Sequence, residues 1–114
     1  MSKIDLKIKS RDLNALLAAI DANNPEGDLD LINRADEYAS EAHRDQKRLS
    51  GEPYIVHPLE IGIILANLKL DTTTIAAALL HDVVEDTPVS LEIIREQFGE
   101  EIALLVDGVT KISS

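Results

Sequence analysis

Apolar residues recur at three- and four-residue steps through nearly the whole chain, and no stretch alternates apolar with polar as a half-buried strand would. Leu13, Leu16, Leu17 and Ile20 make one short stripe. "DANNPEGD" (21–28) then breaks the pattern with Asn, Pro and Gly, which favour turns. Asp28 or Asp30 is placed to cap a second helix, whose stripe is Leu31, Ile32, Ala35, Tyr38, Ala39 and Ala42 and which is expected to run to about Lys47 or Arg48. "LSGEPYIVHP" (49–58) reads as a connection, because Pro53 and Pro58 each disfavour helix in the residue before them. Pro58 itself suits the first turn of a third helix, where its missing N–H costs nothing. That helix carries Ile61, Ile63, Ile64, Leu65 and Leu68 and stops near Lys69. "LDTTT" supplies caps for a fourth, Ser90 caps a fifth that ends at Gly99, and Ile102, Ala103, Leu105, Val106 and Val109 mark a last one. Only Val89 hints at extended structure. The spacing predicts an all-α bundle of about six helices.

Its 114 residues suit one domain with room for a core. Cysteine is absent, which removes disulfides, thiolate nucleophiles and zinc–sulfur sites and fits a reducing cytoplasm. The N-terminus has no apolar run suited to a signal peptide, and charged residues interrupt every apolar segment before it reaches membrane-spanning length. A soluble cytoplasmic protein is expected. A net charge of −10 gives no general attraction for nucleic acid. A polyanionic ligand would need a local basic patch or a bound cation to approach.

The chemistry concentrates in "AALLHDVVEDTP" (77–88), where an apolar helix ends in His81, Asp82, Glu85 and Asp86. Carboxylates beside Leu79, Leu80, Val83 and Val84 are costly to bury uncompensated. On a helix Glu85 lies on the face of His81 and Asp86 on that of Asp82, so one imidazole and three carboxylates can gather at one point. A divalent cation would neutralise the carboxylates and accept the imidazole nitrogen. Histidine with carboxylate and no sulfur suits manganese, iron, magnesium or zinc with an open position. The same residues also suit a solvated helix end. His57, before Pro58, is a second candidate ligand if the third and fourth helices pack antiparallel. Arg44, Lys47 and Arg48 form a small basic group fit to clamp an anion. His43 is read as structural or surface, and Tyr38 and Tyr54 as packing residues.

The motifs "SGEPYIVHP", "AALLHDVVEDT" and "FGEEIALLVDGVTKI" closely resemble the N-terminal hydrolase module of the Rel/SpoT family, enzymes that make and degrade guanosine tetra- and pentaphosphate. The match runs from about Ala35 to Ser113. The resemblance implies the helical HD phosphohydrolase fold, with residues 1–27 as an N-terminal helix and turn and 28–114 as a partial HD domain. It implies a manganese-dependent 3′-pyrophosphohydrolase of the stringent response that releases GDP or GTP. On that pattern His57, His81 and Asp82 hold Mn2+ or another divalent metal, and Glu85 and Asp86 orient or activate water. Arg48 contacts guanine, and Ser50 lies in the same substrate loop. Leu49 stands where relatives often carry a second basic residue. Relatives continue past "VTKISS" into helices with a fourth ligand and into a synthetase domain, so a fragment with weak or no activity of its own is expected. The alternative is a non-catalytic module that self-associates, as a homodimer, through helices left without their usual cover.

Overall fold

The structure is a computed structural model that describes residues 3–43 and 56–113, with side-chain surroundings for 13–43 and 58–111. Six helices follow in order: α1 (Lys3–Asn23), α2 (Leu29–Ala42), α3 (Val56–Asn67), α4 (Thr72–Asp86), α5 (Leu91–Phe98) and α6 (Glu100–Ser113). There is no strand among the described residues, as the periodicity requires. None of the described helices is long and apolar enough to cross a membrane.

Three helix starts are fixed by side chains that accept an otherwise orphaned amide hydrogen. Asp28 accepts from Leu31 N–H at 3.0 Å, Asp71 from Thr74 N–H at 2.9 Å and Ser90 from Ile93 N–H at 3.3 Å. Between Asp28 and Asp30, the cap is therefore Asp28.

Helix α4 is the centre of the bundle, packed on α2, α3 and α6, while α1 lies against α3 and α5 against α6. Its buried positions are Thr72, Ile75, Ala76, Ala77, Leu79, Leu80 and Val83, more than one face, as a helix with neighbours on several sides requires. Ala35 and Ala39 on α2 and Ala76 and Ala77 on α4 are at most 1% exposed. Small side chains on both members of a packed pair let the two axes approach closely. At Gly62 of α3 an added Cβ would stand 3.3 Å from both Leu16 methyls and 3.5 Å from Ile75, so glycine permits the close meeting of α1, α3 and α4. Leu16 and Ile20 of α1 belong to this same core.

A second contact ties α2 to α5. Arg34 Nη2 donates to the Gln97 carbonyl at 2.7 Å, and the guanidinium lies 5.1 Å from the centre of the Phe98 ring. Tyr38 meets Phe98 edge to face, with centroids 5.6 Å apart, which makes it the packing residue its place in the stripe indicated.

Two helix ends differ from the expectation or lack its usual signal. Helix α2 stops at Ala42 rather than near Lys47 or Arg48, with His43 leaving helical geometry at φ −99°, ψ 11°. Propensity gives no reason to stop there, but it is a weak preference that packing overrides. His43, at that end, is buried. Helix α3 closes with Leu70 N–H donating to Leu65 C=O and Lys69 N–H to Ala66 C=O, both in a left-handed closing turn. Lys69 has φ +65° in a place where glycine is usual. Lys69→Gly is expected to raise stability by about 0.5–1 kcal/mol, because removing the Cβ strain outweighs the added freedom of the unfolded chain. A higher denaturant midpoint at unchanged slope checks this; an unchanged or lower midpoint contradicts it.

Some large apolar side chains stay exposed, among them Ile64, Leu68, Leu104 and Val109. On α6 Ile102, Ala103 and Val106 face the core.

Candidate metal centre

The HD dipeptide lies on the last two turns of α4, held there by Leu79, Leu80 and Val83, each fully buried. Anchoring on both sides of the dipeptide leaves the intervening side chains little freedom to rotate away. His81 Nδ1 is 2.9 Å from the Ala78 carbonyl oxygen. A carbonyl can only accept, so Nδ1 carries the hydrogen and Nε2 is the free-facing nitrogen. Nε2 stands 3.0 Å from Asp82 Oδ1 and 3.9 Å from Glu85 Oε2. The three side chains are 16%, 15% and 27% exposed, sheltered enough to strengthen their electrostatics yet open to a small ligand.

The His81 pKa is pushed up from 6.5 to about 9. The hydrogen bond to Asp82 is the main cause; burial opposes it, and the Ala78 carbonyl and the charges of Asp82 and Glu85 add to it. Without a cation, an imidazolium is thus what compensates these carboxylates. The folded state holds this proton more tightly than the unfolded chain. The resulting stabilisation is full below pH 6.5 and is lost as the pH rises through about 9.

One ligand atom each from His81, Asp82 and Glu85 lies within 4.8 Å of the others, the spacing of a divalent site. The donor set fits such an ion: Nδ1–H is tied to a carbonyl, the usual outer partner of a ligating histidine, and Nε2 faces two carboxylates. Asp86, on the final turn, is exposed. His57 lies in the first turn of α3, beside the buried Pro58, but its side chain falls outside the described surroundings. Arg44, Lys47, Arg48 and Ser50 lie outside the described residues. Residue types alone did not reveal one participant. The Ala78 carbonyl carries no side-chain signal, whereas Glu85, which helical spacing put on the face of His81, comes within the ligand-competent group.

An all-helical bundle presenting adjacent His and Asp with a nearby carboxylate defines the class of HD domains. The chain belongs to the HD-domain family, whose profile matches residues 35–114. Its relatives specify the branch. It is 53% identical over 90 residues to the GTP pyrophosphokinase of Myxococcus xanthus, covering 79% of this chain and 12% of that protein. It is 49% identical over 112 residues to the guanosine-3′,5′-bis(diphosphate) 3′-pyrophosphohydrolase of Aquifex aeolicus, covering 98% of this chain and 15% of that one. It is 48% identical over 88 residues to the bifunctional (p)ppGpp synthase/hydrolase SpoT of Escherichia coli, covering 77% and 12% respectively. The chain thus spans 12–15% of the length of these relatives. The Rel/SpoT resemblance read from the motifs is borne out.

Proposed function

We propose that this chain carries the hydrolytic site of a divalent-metal-dependent phosphohydrolase acting on guanosine tetra- or pentaphosphate. The observation that carries the reading is His81 Nε2, set between the carboxylates of Asp82 and Glu85 while Nδ1 is tied to the Ala78 carbonyl. In this reading His57, His81 and Asp82 hold the ion, with manganese the preferred occupant. Bound there, the ion would polarise a phosphoryl oxygen and lower the pKa of water. It would also place positive charge where a chain of net charge −10 must meet a polyphosphate.

Water adds to the phosphorus bonded to the 3′ oxygen, the bond between that phosphorus and the 3′ oxygen breaks, and the departing oxygen takes up a proton to become the 3′ hydroxyl. The products are pyrophosphate and GDP, or GTP from the pentaphosphate. Glu85 or Asp86 takes the proton from the attacking water, given a reach of about 3 Å. Arg48 holds the guanine and Ser50 the adjoining part of the nucleotide. Incubation of the protein with guanosine tetraphosphate and Mn2+ should yield pyrophosphate and GDP in equal amounts. Release of single phosphates, or turnover equal with and without a chelator, would contradict the reading.

Binding has a pH signature. Below about 9 the cation must displace the His81 proton, so apparent Mn2+ affinity should rise about tenfold per pH unit up to that value and then level off. Calorimetric titration in two buffers of different ionisation enthalpy should show about one proton released per ion at neutral pH. An affinity flat across the neutral range would oppose this assignment.

A further inference from the structure

We propose that Thr87 is a positioning residue for the metal centre, its hydroxyl holding the last turn of α4 so that Glu85 and Asp86 keep their places beside His81 and Asp82. The inference rests on the reading that this cluster binds a divalent ion. Helix ends fray because their last carbonyls lack partners, and Glu85 and Asp86 are the last two residues of α4. Thr87 caps that end in extended geometry, at φ −131° and ψ 168°. Pro88 favours this conformation in the residue before it and has no N–H to offer the helix.

The Thr87 hydroxyl and amide converge on one acceptor. Oγ1 donates to the Val83 carbonyl at 2.6 Å, and the backbone N–H donates to the same oxygen at 3.1 Å. Oγ1 also accepts from Val89 N–H at 3.2 Å. Val83 is fully buried, so the hydroxyl ties the outgoing segment to a point fixed in the core. Between these two fixed points, Val83 and Thr87, stand Glu85 and Asp86. The Glu85 carboxylate, 3.9 Å from His81 Nε2, depends on that turn remaining wound.

The test follows the EPR signal of unbound Mn2+ during titration of the wild-type chain, Thr87→Val, Thr87→Ser and His81→Ala, with thermal unfolding of each measured separately in chelator. Thr87→Val is expected to bind Mn2+ about tenfold more weakly, the cost typical of losing an outer-shell partner. Thr87→Ser, which keeps the hydroxyl, should bind like the wild type. Thr87→Ala replaces the valine variant if that one does not fold. Wild-type affinity in Thr87→Val with only a lower unfolding temperature would overturn the proposal, leaving an ordinary helix cap. So would a serine variant as weak as the valine one. Equal binding by wild type and His81→Ala would instead remove the metal reading beneath it.

Discussion

Replacing His81 with alanine is expected to cut Mn2+ affinity and pyrophosphate release by more than about 100-fold, the upper end of what loss of an outer partner costs. When the ion is bound, the imidazole supplies the neutral donor between two carboxylates. Helix content should be retained, since the ring is at the edge of the buried face of α4 rather than within it. Circular dichroism and pyrophosphate release measured on the same preparation separate the two effects. A folded variant that still releases pyrophosphate at the wild-type rate would remove His81 from the chemistry.

The second large effect concerns stability. Leu80→Ala should cost about 3 kcal/mol, a cavity in the helix that touches three others. For a domain whose total stability is about 5–15 kcal/mol, that is a substantial fraction. The same substitution at Leu104, 58% exposed on α6, should stay within about 0.5 kcal/mol. Paired denaturant titrations decide the matter. Similar losses at both sites would mean that α4 is not the centre of the core.

These contrasts show which features the residues announce on their own. Asp71 and Ser90 were legible as caps because a cap acts on an amide three residues away. Gly99 was legible as a helix end because φ +99° suits glycine alone. The end of α2 was not legible, because His43 is not a residue type that ends helices. Nor was the turn at Lys69, where a left-handed conformation is imposed on a residue with no liking for it.

The candidate centre divides the same way. His81, Asp82, Glu85 and Asp86 were recognisable because ionisable residues ending an apolar helix need compensation. Their helical spacing already placed Glu85 under His81. The 3.0 Å approach of neighbouring His81 and Asp82 depends on rotamers, and the Ala78 carbonyl that sets the tautomer belongs to the backbone. Nothing in its residue type announces that the Thr87 hydroxyl grips the Val83 carbonyl.

Diffraction at the manganese absorption edge, from crystals of this chain grown with Mn2+, interrogates the divalent centre without intermediaries. An anomalous peak within coordinating distance of His81 Nε2 and an Asp82 carboxylate oxygen, about 2–2.3 Å from each, is the expected result. Crystals soaked in Mn2+ that show no peak between these two side chains, or place it only at other surface carboxylates, would contradict it.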